Sequence, residues 1–284
     1  MKAALVNDTS GERHVGCNAV IAAIRGVAAM HGIEIIKSYT RSEIINDACY
    51  FTGADIIIIN GEGSLHHGTP NSAFLWTVLN HAQMNNIPTV LINTVWDGME
   101  LDDRQLELLN TLELVSCRES KSLYQIYDVY KERMAWVTPD MIFAHHPRDI
   151  SAAPQKEGLV YCPGSGKLTA QIAQRKPNIL IQRHTGAPSF EEFCSELTNY
   201  DGVVTDRFHT CCIAMMCGLP VYALKANCHK VDGLAEDSQA FNVYETVEMA
   251  ENAPGDTSID AGLAYVDMAR EEIHELFYAI KECV

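Results

Sequence analysis

Short apolar runs recur along the first half of this chain, at KAALV (2–6), IEIIK (33–37), ADIIIIN (54–60), PTVLIN (88–93) and LELVSC (112–117). They alternate little between polar and apolar positions, which is the pattern of strands covered on both faces. Between them CNAVIAAIRGVAAM (17–30) and SAFLWTVLNHAQM (72–84) read as helices, so the rhythm is the βαβα of a parallel sheet. The stretch TPDMIFAHHPRDISAAPQKEG (138–158), with three prolines and little periodicity, interrupts it, and strand-like runs resume at GLVYC (158–162), NILIQ (178–182), GVVTD (202–206) and PVYAL (220–224). Leu263, Val266, Ala269, Ile273, Leu276, Phe277 and Ile280 mark an apolar face on a closing amphipathic helix. The pattern predicts an α/β protein with parallel sheets: an N-terminal Rossmann-like domain over 1–150, a second over 151–259 and a closing helix over 260–284. Tandem α/β domains hold ligands in the cleft between them, outside the carboxyl ends of their strands.

Composition narrows the partners. The 284 residues carry 47% hydrophobic and 20% charged side chains and a formal charge of −16. That charge repels a polyanion, and no basic run or aromatic-interleaved basic stripe offsets it, so nucleic acid is not an expected partner. An anionic small substrate stays open, because a few arginines decide that locally. No apolar run reaches the length of a membrane span, and MKAALVNDTSGER lacks an export signal, so a cytoplasmic location is expected. The ten cysteines sit in apolar surroundings, which suits reduced, buried thiols. Cys211, Cys212, Cys217 and Cys228 cluster without paired C-x-x-C spacing and read as small hydrophobes rather than a zinc site.

Four loops at predicted strand ends carry the candidate chemistry. In NDTSGERHVGCN (7–18), Asn7, Asp8, Thr9 and Ser10 are either turn and capping residues or a loop that hugs a ligand, with Gly16 allowing close approach. NGEGSLHHG (60–68) departs from the dinucleotide fingerprint at its third glycine, and its helix begins only near Ser72. Its glycines with Glu62, His66 and His67 suit a hydroxylated ligand. Arg118, in CRESKSLYQI (117–126), is either a surface or a cleft arginine. In DGVVTDRFHTCCIAMMCGLPVYAL (201–224), Thr205 or Asp206 can cap a helix over roughly 207–217 that Gly218 and Pro220 stop. Arg207 and His209 then fall in its first turn, where free N–H groups favour an anion and a guanidinium grips phosphate or carboxylate. A buried histidine satisfied by a backbone carbonyl is the plain alternative for His209.

In this order and spacing NDTSGERHVGCN, IIINGEGSLHHG, CRESKS and DGVVTDRFHTCCIAMMCGLPVYAL resemble the polysaccharide pyruvyl transferase family, over most of the chain to about residue 235. The R-x-H opening a small apolar helix and followed by G-x-P-V is the strongest element. The resemblance implies a glycosyltransferase-B-like fold of two Rossmann-like domains. It implies transfer of the pyruvyl group of phosphoenolpyruvate to two hydroxyls of a sugar as a cyclic ketal, with no metal and no cofactor. Donor binding would fall to Arg207, His209, Arg118 and Lys225, and His209 would be the acid that protonates the vinyl carbon. Glu62 or His66 would deprotonate or orient the sugar hydroxyls, and Asn7, Asp8, Thr9, Glu62 and His67 would line the acceptor side. The implied partners are phosphoenolpyruvate and a sugar or glycan acceptor, lipid-linked or free; a homo-oligomer is compatible with the sequence.

Three rivals use the same architecture. A nucleotide-sugar glycosyltransferase would hold a diphosphate at Arg207, and a non-catalytic glycan- or anion-binding relative would lack the reaction. A dinucleotide-dependent oxidoreductase is disfavoured by the missing glycine. Fold permits all of them and only the site discriminates.

Overall fold

The computed structural model describes residues 1–12, 14–46, 51–130, 134–147, 158–164, 172, 188–253 and 255–284. It divides into two compact units: residues 1–11, 21–141 and 271–284 form the first, and residues 12–20 and 142–270 the second. The main boundary thus falls at Met141 rather than near residue 150, and the closing helix does not stand apart as a third body. The long helices near the two chain ends, α1 (Val15–Met30) and α10 (Ile259–Lys281), each carry residues of both units.

Unit 1 is built on six parallel strands, β1 (Lys2–Val6), β2 (Glu34–Tyr39), β3 (Ile56–Glu62), β4 (Thr89–Thr94), β5 (Leu114–Cys117) and β6 (Met134–Val137), in the order β2-β1-β3-β4-β5-β6. The central strands β3 and β4 are buried throughout and carry apolar runs because both faces are covered. Ile56 to Ile59 and Val90 to Ile92 have no exposed surface. Ile57, Ile59, Leu91 and Val115 pack on Phe74, Leu75, Val78 and Leu79 of α3 (Ala73–Asn85). The helices α2 (Arg41–Asn46), α4 (Asp103–Leu109) and α5 (Ser120–Ile126) complete this part, and Asp102 with Gln105 forms a capping box at the start of α4. The strand β6 has no counterpart in the runs read from sequence. It is an edge strand in which only Ala135 is buried, so it lacks the fully buried apolar run of its neighbours.

The strand order reverses between β1 and β3, and such a switch point is where an open parallel sheet offers its carboxyl edge to ligands.

Among the described residues, unit 2 holds four parallel strands in the order β10-β9-β8-β7: β7 (Leu159–Cys162), β8 (Gly202–Thr205), β9 (Val221–Leu224) and the short β10 (Val243–Tyr244). The strand expected at 178–182 lies outside the described residues. The helices here are α6 (Phe190–Leu197), α7 (Phe208–Met216), α8 (Lys230–Ser238) and α9 (Val247–Glu251). Every residue of α7 is buried, which is why it reads as apolar all round rather than amphipathic. Its end is a Schellman motif. Gly218 at φ 64° donates to the Met215 carbonyl and Leu219 to that of Ala214, at 3.0 and 2.9 Å.

One histidine pair makes unit 1 acid-sensitive. His31, at the end of α1, and His274, on α10, share a ring hydrogen bond of 2.9 Å, with the Tyr278 ring edge-on to His31. Burial lowers the His31 pKa from its ordinary 6.5, and the charges of His274 and Lys281 lower it further against the opposing pull of Glu275. The unfolded chain therefore takes up this proton at a higher pH than the folded one. Stability from this group is complete above about pH 6.5 and falls as the pH drops through the folded value, by at most ~1.4 kcal/mol per pH unit. Thermal melts between pH 7.5 and 5.5 should show a smaller acid loss in His31→Gln than in the natural protein.

Candidate functional site

The carboxyl edge of the unit 1 sheet is a buried polar network. Asn7, just past β1, donates from Nδ2 to the Asn60 carbonyl at 2.6 Å, and Asn60 Nδ2 returns a bond to the Asn7 carbonyl at 3.3 Å. Asn93 Nδ2 donates to Asn60 Oδ1 at 3.0 Å, and its own Oδ1 accepts from the Met141 amide at 3.1 Å. The three asparagines thus tie the ends of β1, β3 and β4 together at the switch point. Asn7 and Asn93 adopt left-handed backbone, at φ 63° and 56°, and so does Glu62, at φ 44°. Asparagine tolerates that region, whereas for glutamate it is uncommon, and non-glycine residues held there concentrate at functional sites. Glu62 is buried.

Arg118 is neither a surface arginine nor an open one. It is 2% exposed, and its Nη1 donates at 2.9 Å to Asp140, which has no exposed surface. A methyl group built on Gly63 would stand 3.9 Å from Arg118 Nη2, so the glycine-rich loop and Arg118 are neighbours within unit 1. Gly61 is required by sheet contact, since a Cβ there would fall 2.4 Å from Thr94. The His66 and His67 rings stand edge to face, 5.4 Å between centroids with planes at 84°, and His67 faces the Asp97 carboxylate at 3.5 Å.

Asp8 has a local role. Its carboxylate accepts from the Ser10 amide and pairs with Arg25 at 2.8 Å. Burial would raise the Asp8 pKa, but the Ser10 hydrogen bonds and the Arg25 guanidinium together hold it below the ordinary carboxylate value. Of the polar residues proposed for this loop, Asp8 is a turn residue with its charge engaged, and Thr9 is buried.

Unit 2 presents the R-x-H pair at the carboxyl edge of its own sheet. Arg207 is the N-cap residue of α7, one position ahead of the first turn in which the sequence placed it. Neither Thr205 nor Asp206 caps the helix. Thr205 is buried, donates from Oγ1 to the Cys162 carbonyl at 2.5 Å and accepts from the Arg207 amide at 3.0 Å. Asp206 accepts from the Gly164 amide instead. The Arg207 side chain makes no capping bond to the first turn of α7. Arg207 is anchored through Nε to the Pro163 carbonyl at 2.8 Å, and among the described residues it makes no ion pair. Arg25, Arg104, Arg118 and Arg270 each make one.

His209, buried in the first turn, rests on the start of α1. A Cβ on Gly16 would lie 2.3 Å from its ring, so the close approach Gly16 permits is that of His209. His14 packs its ring 5.6 Å from that of His209. Lys225, just past β9, is on the surface in an ion pair with Glu245 at 2.9 Å, a hydrogen bond that raises its pKa. Cys211, Cys212 and Cys228 are buried free thiols, and Cys217 is half-buried. Burial pushes the Cys162 thiol up to about 12 and that of Cys211 higher still, as inert core cysteines require.

The sequence reading passed over Asn60, Asn93, Asp140, His14 and Cys17. A signal for the asparagines was present: three apolar runs of unit 1 close on asparagine, as Val6-Asn7, Ile59-Asn60 and Ile92-Asn93.

These parallel sheets flanked by helices, with polar residues gathered at their carboxyl edges, define an α/β fold of Rossmann-like units, glycosyltransferase-B-like in its class. Solved structures share it across nearly the whole chain. UDP-GlcNAc 2-epimerase from Methanocaldococcus jannaschii, in complex with UDP-GlcNAc and UDP, has a TM-score of 0.60 at 9% identity, covering 98% of this chain and 100% of that one. An uncharacterised protein from Klebsiella pneumoniae has a TM-score of 0.59 at 17% identity, covering 84% and 88%. HepE from Anabaena, in complex with UDP, has a TM-score of 0.53 at 15% identity, covering 98% and 100%. At these identities the likeness establishes the fold alone. Comparison with the curated proteins finds no match. The sequence model of the polysaccharide pyruvyl transferase family matches residues 29–226, and the chain belongs to that family. Among the described residues no helix is long and apolar enough to cross a membrane.

Proposed function

We propose that the protein transfers the pyruvyl group of phosphoenolpyruvate to two hydroxyls of a sugar, with the donor held at the start of α7. The observation that carries this reading, beside family membership, is the α7 N-terminus. Arg207 is its N-cap residue, makes no capping bond with its side chain and stands there without an ion pair among the described residues. A guanidinium standing at a helix N-terminus suits a phosphate or carboxylate.

His209 donates a proton to the vinyl CH2 carbon, leaving an oxocarbenium-like centre at C2. One sugar hydroxyl attacks C2, the C2–O bond to phosphate breaks, and the second hydroxyl closes the ketal. Of the two hydroxyl protons released, one replaces the proton given to carbon and the other leaves with phosphate. General-acid catalysis of this kind contributes roughly 100- to 10,000-fold in rate. Glu62, held in strained backbone, and His66 are the residues proposed to orient or deprotonate the acceptor, and Glu62→Gln should lower turnover.

Calorimetric titration with phosphoenolpyruvate, which needs no acceptor, tests the donor site. Arg207→Ala should weaken binding by roughly 10- to 150-fold, the equivalent of about 1.5–3 kcal/mol for a charged hydrogen-bonding group. Binding of UDP-GlcNAc with indifference to phosphoenolpyruvate would overturn the reading.

A further inference from the structure

Three ligating side chains that the donor reading does not use together meet in unit 2. His14 immediately precedes α1 and accepts the helix's opening bond from the Asn18 amide, and Cys17 lies one turn further on the same face. His209 comes to them from the first turn of α7. One donor atom from each, an imidazole nitrogen from His14 and His209 and the Cys17 Sγ, all lie within 4.8 Å of one another. Cys17 and His209 are buried and His14 is half-buried, so two of the three donors have already lost their water. Gly16, between the two α1 ligands, carries no Cβ and so lets the His209 ring lie against the helix start.

We propose that His14, Cys17 and His209 form a binding site for a divalent cation of zinc's chemistry, with the fourth position open. Two imidazoles and one thiolate are a donor set that zinc prefers over the hard cations, which take oxygen. Donor atoms on a tetrahedral zinc stand roughly 3.3–3.8 Å apart, from bonds of about 2.0–2.3 Å, so side-chain rotations of about 1 Å bring these three into place. The negative charge of a bound thiolate falls in the first turn of α1, where an anion is favoured.

The functional consequence rests on the reading of His209 as the acid. A ring nitrogen held by the cation carries no transferable proton, so the cation is an inhibitor of pyruvyl transfer. A chelator would relieve it.

The test is a titration of the full chain with Co2+, kept reduced by a phosphine and free of phosphoenolpyruvate, reading the thiolate-to-cobalt charge-transfer band. One equivalent should bind and Zn2+ should displace it. Cys17→Ser should abolish the band. His14→Ala should weaken binding by more than the roughly 10- to 100-fold that loss of an outer-shell partner costs. Absence of the band in the natural protein, or a band of equal strength and affinity in both variants, overturns the site. The donor calorimetry needs no metal, so the two readings fail separately. Cobalt binding without phosphoenolpyruvate binding would leave the cation site standing and remove only its inhibitory consequence.

Discussion

Asp140→Ala is expected to lower stability by about 3–5 kcal/mol, because it takes the carboxylate away from a guanidinium with 2% exposure. The pair joins the residue after β5 to residue 140 with an N–O distance of 2.9 Å, and neither side chain reaches water. Breaking such a pair from one side costs far more than removing it. Arg118→Met combined with Asp140→Leu should therefore recover most of the loss, as buried ion pairs exchanged for well-packed apolar side chains often do. The midpoint of urea unfolding reads both variants. The double variant also separates two roles for Arg118. If it is stable and binds phosphoenolpyruvate as the natural protein does, Arg118 is a structural residue and its assignment to the donor is wrong. If it is stable and binding is lost, the assignment stands.

Gly16→Ala is expected to disable the histidine without touching its chemistry. The new methyl group would lie 2.3 Å from the His209 ring and 2.4 Å from its Cβ, and the Cβ cannot swing away as the end of a flexible chain could. Either α1 retreats or the imidazole leaves its place. Overpacking of this order costs about 1–3 kcal/mol, which a folded α/β protein of this size can survive. Turnover should then fall as expected for His209→Ala, while Arg207 continues to bind the donor. Stopped assays beside calorimetry distinguish this from general unfolding, in which both would be lost together. A variant with natural turnover would mean that the position of the His209 ring is not needed for the reaction.

Much of the fold was legible because burial leaves a one-dimensional trace. A strand covered on both faces carries a largely unbroken apolar run, so β1, β3, β4, β8 and β9 could be read within two residues of their observed limits. The same held for α7, where glycine and proline follow an apolar run. β6, an edge strand with one buried residue, and β10, with two residues, leave no such trace. Family membership was legible for a different reason: Arg207, Phe208 and His209 are consecutive, and the Gly218-Leu219-Pro220-Val221 that ends the same element is local too.

What a side chain faces is not local. Arg118 and Asp140 lie 22 residues apart and become partners only because β5 and β6 are neighbours in the sheet. The asparagines at 7, 60 and 93 become one network only at the switch point of the strand order. Gly16 looked like room for a ligand and proved to be room for His209. The cysteines with the densest sequence spacing, Cys211, Cys212 and Cys217, join no cation-ligand group among the described residues, whereas Cys17 meets two histidines, one of them almost two hundred residues away. The order of apolar and polar residues by itself therefore determined the parallel α/β architecture and the approximate limits of α1, α3, α7 and α10. Only the tertiary structure decided which charges are spent on one another and which face open chemistry, because pairing depends on distance in space and the chain encodes distance only along itself.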